Sequence, residues 1–141
     1  MTTMLSLLVS ILVAFSGMKT AEARTVCAPD DAWNRRLAVA LVADPIYAEL
    51  RAEAGITTTD STRVRVLRDE TDQAACERLN AITSEGGAIG PTDRGQFIYY
   101  AVDDHYILVT RWPQQPGTVT LTHDYVAVLD TTFAITGEFM M

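Results

Sequence analysis

FIYYAVDDHYILVTRW, residues 97–112, is the stretch that decides how this chain folds. Two runs rich in β-branched and aromatic residues, Phe97–Val102 and His105–Trp112, flank Asp103-Asp104. Such side chains favour the packed, pleated surface of a sheet. Two acidic turn-formers between two apolar runs predict a tight β-hairpin, although Asp-Gly would be the stronger signal.

Toward the C-terminus, Trp112-Pro113-Gln114-Gln115-Pro116-Gly117 breaks the pattern. Thr118–Thr122 then alternates strictly, which predicts a strand with one wet face and one packed face, running on through His123 to Leu129. Asp130-Thr131-Thr132 reads as a turn and Phe133–Phe139 as a last short strand. Toward the N-terminus, Thr83–Gln96 is a loop with four glycines and Pro91. Ahead of it, Asp69 caps an amphipathic helix over Glu70–Ile82, whose apolar stripe is Ala75, Cys76, Leu79 and Ile82. Asp69, Glu70 and Asp72 complement the positive end of its dipole. Arg63–Arg68 alternates as a short strand, Val64 and Val66 inward and Arg63 and Arg65 outward, a pattern suited to a sheet edge. Asp44-Pro45 opens a helix over Ile46–Ala54 with Tyr47, Leu50 and Ala54 on one face, and Gly55 supplies its left-handed stop. Pro29-Asp30-Asp31 starts an earlier element. Trp33, Leu37, Ala40 and Leu41 give it helical spacing, although Leu37, Val39 and Leu41 also fit a strand. Helices come first, with one strand interposed, and then strands in meander order. That order predicts an α+β fold, with N-terminal helices packed on one face of a four- to five-stranded antiparallel sheet.

The first residues predict where the protein works. Met4–Gly17 is an apolar run too short to span a bilayer, which needs about 20 residues. Ala21-Glu22-Ala23 then offers a signal-peptidase site. Residues 1–23 therefore read as a secretory signal and 24–141 as one domain, although Met1-Thr2-Thr3 lacks the usual basic residue. No stable membrane anchor is expected after cleavage. Two cysteines, Cys27 and Cys76, form an even pair, which in an exported protein predicts a disulfide.

The net charge is −7 and the only lysine is Lys19, inside the signal. An acidic domain is repelled by phosphate backbones, which argues against nucleic acid as a partner. No cofactor motif is present. Gly86-Gly87-Ala88-Ile89-Gly90 lacks the Lys-Ser/Thr ending of a phosphate loop, and Ser16-Gly17-Met18-Lys19 falls in the signal. One titratable cluster stands out: Asp103, Asp104 and His105, with His123 and Asp124. Were the strands to pair suitably, two imidazoles and a carboxylate could hold a divalent metal. The simpler reading is a solvated acidic turn with two structural histidines, so no metal is expected. Tyr99, Tyr100, Tyr106, Trp112 and Tyr125 make the sheet aromatic and are candidates for a binding face; the simpler reading is ordinary sheet core with hydroxyls reaching water.

Asp44-Pro45-x-Tyr47-Ala48-x-Leu50-Arg51 with Gly55, then Val64-x-Val66-Leu67-x-Asp69 and Cys76-Glu77-Arg78, resemble exported bacterial proteins of unassigned function. Tyr106 and Val126-x-Val128-Leu129-Asp130-x-x-Phe133 extend the similarity. The resemblance implies bacterial export and no activity. The expectation is a non-catalytic binding or accessory module of the bacterial envelope or exterior, with an unknown protein or small-molecule partner. The alternatives are a small metal-assisted hydrolase using His105, His123 and Asp103 or Asp104, and a structural partner subunit.

Overall fold

The hairpin at Asp103-Asp104 lies at the heart of the sheet. The structure is a computed structural model and describes residues 26–84, 87–89, 97–110 and 124–141. The expected signal, the strand at Thr118–Thr122, His123 and Trp112 lie outside the described residues. Among the described residues there are five strands: β1 (Arg65–Val66), β2 (Phe97–Val102), β3 (His105–Thr110), β4 (Tyr125–Asp130) and β5 (Ile135–Met140). They pair in chain order, each antiparallel to the next, with β1 and β5 at the edges. Asp103 takes φ 48 at the first turn position, a conformation that Asp tolerates better than most residues. The expected α+β class, with helices preceding the meander, is what the chain adopts.

The helices are α1 (Ala32–Ala43), α2 (Ala48–Ala54) and α3 (Asp69–Thr83). For the first, helix wins over strand. Asp31 accepts the Trp33 N–H, and Asn34, Ala38, Leu41 and Val42 are buried at helical spacing. The buried face is rotated from the expected one, and Trp33 is 52% exposed. Its indole N–H donates to the buried Asp124 carboxylate at 3.0 Å, and Arg36 lies over its ring. Asp44 and Pro45 start the next element as expected, though as a 3₁₀ turn (Pro45–Tyr47) leading into α2. Gly55 closes α2 at φ 82.

One feature of the layering departs from expectation. Among the described residues, the helices that cover the first face are α1 and α2, packing on Ile98, Tyr100, Ile107, Val109, Val126 and Val128. The third helix covers the other face, where Cys76 and Leu79 meet Phe97, Tyr99, Leu108 and Ala127. Burial on both sides is why every residue of β2 is buried. A second correction concerns Asp69. It makes no cap bond to α3; its Oδ1 instead accepts the N–H groups of Val26 at 2.8 Å and Cys27 at 2.9 Å. The expected strand at Arg63–Arg68 shrinks to two residues, because Ser61–Arg63 coils into a 3₁₀ turn.

Candidate functional site

Cys27 and Cys76 are joined in a disulfide, and both are buried. The bond ties the described N-terminal stretch to α3. Asn80 of α3 reinforces the same seam by donating to the Val26 carbonyl at 3.0 Å.

His105 opens β3 with its side chain 9% exposed. Its Nε2 lies 3.3 Å from the position a Cβ would take on Gly55, so the glycine both ends α2 and makes room for the ring. Nδ1 sits 2.9 Å from Asp104 Oδ1, and the facing residue on β4 is Asp130. Asp103, by contrast, accepts from the Arg63 guanidinium at 2.9 Å. The two carboxylates of the turn are thus drawn to different partners. Among the described residues, no group of three or more His, Cys, Asp or Glu side chains is placed to hold a metal ion.

The tyrosines divide between the faces. Neighbours in a strand point in opposite directions, so Tyr99 and Tyr100 cannot share a binding surface. Tyr100 is fully buried under α1, its hydroxyl donating to Asp30 Oδ1 at 2.8 Å. Burial, with that carboxylate beside it, pushes its pKa well above the ordinary tyrosine range. Tyr99 faces α3, donates to Asn80 Oδ1 and lies 3.3 Å from the Thr83 hydroxyl; burial raises its pKa too. Tyr106 stacks on Phe133 with ring centroids 5.4 Å apart, and Arg78 lies over Phe133. Tyr125 packs edge-on against Phe97. Burial and its hydrogen bond to Glu138 raise its pKa. These rings are sheet core and seam. The binding face expected of them is not formed by Tyr99 and Tyr100, and Trp112 lies outside the described residues.

Sequence reasoning missed a groove of about 310 Å³ beside the disulfide. Cys27–Asp30 lines one side and Val66–Glu70 the other. Asp30, Asp69 and Glu70 bring three carboxylates to its lining and Arg68 one guanidinium; Asp30 is paired with Arg35 at 2.6 Å, and Asp69 accepts the Val26 and Cys27 N–H groups. The chain pattern held a signal for one wall only: Arg63–Arg68 reads as an edge strand, and an edge leaves backbone groups unpaired. Comparison with protein-family models, with curated proteins and with solved structures finds no match.

Proposed function

We propose that this chain is a non-catalytic binding or accessory module that works outside the bacterial cytoplasm, in the envelope or beyond it. The observation that supports the reading best is the employment of its polar side chains. His105 and Asp104 pair with one another, Asp103 with Arg63, Asp124 with Trp33, and Asp30 with both Tyr100 and Arg35. Three of these contacts, Asp103–Arg63, Asp124–Trp33 and Asp30–Tyr100, join distant parts of the chain, and His105–Asp104 and Asp30–Arg35 are local. A catalytic constellation instead aims several such groups at one reacting atom. The disulfide supports an oxidising compartment. Among the described residues no helix is long and apolar enough to cross a membrane.

The test is capture of envelope proteins by the oxidised chain, read by mass spectrometry. Reproducible enrichment of one or a few proteins, absent with the reduced and alkylated chain, is the expected result. Calorimetric titration with zinc is the counter-test. Stoichiometric micromolar binding, abolished by His105→Ala and by His123→Ala, would replace this reading with the metal-assisted hydrolase.

A further inference from the structure

The groove beside the disulfide runs along an open sheet edge. Antiparallel pairs alternate between those that exchange backbone hydrogen bonds and those that do not. Leu67 N–H donates to the Tyr99 carbonyl at 2.9 Å, which makes Leu67 and Tyr99 a bonded pair. Val66 faces Tyr100 one step away. Its N–H and C=O therefore point away from β2, toward the open side of the sheet. Among the described residues neither group has a hydrogen-bond partner. The Val66 side chain packs in the core, and the residue also lines the groove. A backbone donor and acceptor on an open edge, with no partner among the described residues, can pair with an added strand.

We infer that this groove receives an extended segment of a partner polypeptide, which adds to β1 through Val66 and places a basic side chain against Glu70. The inference rests on the binding-module reading and names its partner. Three features carry it. An N–H and a C=O on one residue match the complementary pair on one residue of an extended peptide, the pattern of strand addition. The lining is apolar at Ala28, Pro29, Val66 and Leu67, and its net charge is negative, which selects a basic segment with apolar flanks. The far wall is fixed beforehand by the Cys27–Cys76 bond and by Asp69, which grips the backbone of Val26 and Cys27. The groove is therefore held open before the partner arrives, which lowers the ordering cost of binding. The edge at β5 is a poorer acceptor. A register shift between Val128 and Leu129 interrupts its pairing, and bulges of that kind discourage strand addition.

The probe is a blocked pentapeptide, acetyl-Thr-Val-Arg-Val-Thr-amide, titrated into the isotope-labelled protein with its disulfide intact. Amide shifts and hydrogen exchange supply the readout. Saturable shifts at Ala28 and at 66–70, with slowed exchange of the Val66 amide, are expected. Glu70→Lys, at an exposed position, should weaken the peptide about tenfold by turning one attraction into repulsion. Methylation of the central peptide nitrogens should abolish the slowed exchange at Val66. Absence of shifts at millimolar peptide, shifts confined to β5, or equal binding of the Glu-for-Arg peptide would each overturn the inference. Envelope-protein capture run beside it separates the two readings. Capture that persists unchanged in Glu70→Lys and in excess peptide keeps the binding module and removes this groove as its site.

Discussion

At the scale of single residues, the groups that matter most are polar and buried. Arg51 is 8% exposed, and its Nη1 donates to the Leu41 carbonyl at 2.8 Å and to the Asp44 carbonyl at 3.2 Å. It closes the C-terminal end of α1, where unpaired carbonyls gather and a cation is favoured. Arg51→Met keeps the bulk and strands those carbonyls. The expected cost is about 2–3 kcal/mol, the range for charge-assisted bonds whose partners stay buried, measured as a fall in urea midpoint with unchanged slope. Gly55 carries a second expectation. At φ 82 an L side chain is strained, and a Cβ would press His105 Nε2 at 3.3 Å. Gly55→Ala should cost about 1–2 kcal/mol, and Gly55→Asn, which tolerates this conformation better, should not improve on it because its Cβ meets the same ring. The glycine stop was legible from its place after Ala54. Arg51 was not, because an arginine on an amphipathic helix reads as a surface residue until the neighbouring helix is placed. Asn34 is similar: it is buried because its amide donates to the Val109 and Thr110 carbonyls, partners 75 and 76 residues away in sequence.

At the scale of elements, the start of α3 is governed by Asp72, whose own backbone is non-helical at φ −126 and ψ 20. Its carboxylate accepts two bonds from the Arg65 guanidinium at 2.9 and 3.0 Å, one from the Arg68 N–H at 3.0 Å and one from the Thr71 hydroxyl at 2.9 Å. Arg65 above all, with the Arg68 N–H and the Thr71 hydroxyl, holds its pKa down to about 2. A carboxylate depressed on folding stabilises the native state fully above its unfolded pKa of about 3.9, and the gain drains away as pH falls through the folded value. Asp72→Asn should therefore destabilise the protein at pH 6 and much less at pH 2. Urea unfolding of both chains at the two pH values checks this; equal differences at both would contradict it. Some acid slope should survive in the variant. Asp60 is also lowered, by the Thr62 hydroxyl and N–H, and Asp130 by Thr132 and the Ala134 N–H. At this scale the sequence was most readable. The Asp103-Asp104 hairpin, the Asp44-Pro45 start and the Cys76–Leu79 stripe follow from local pattern. The double-sided sheet was less obvious, although its trace was present: FIYYAV is unbroken in hydrophobicity, where a strand with one wet face would alternate.

At the scale of the whole molecule, the disulfide is a covalent tie between the layers across a separation of 49 residues. Replacing Cys27 and Cys76 together by Ser should cost about 4 kcal/mol if the bond acts chiefly on the unfolded chain. Urea unfolding of the oxidised protein against the double variant measures it, and a difference under about 1 kcal/mol would place the stability elsewhere. The candidate groove depends on the same bond, and it was hidden from the sequence because its two walls, near 28 and near 66, are brought together only by tertiary structure. The position of the crosslink also bears on the order of events during folding. Both cysteines precede Phe97, so the ring can close before any of the four long strands has a neighbour. Every later step, hairpin upon hairpin, then starts from a chain whose first half has already lost part of its freedom. Refolding from urea with the bond intact should accordingly outpace refolding of the reduced chain, even where both reach the same native state.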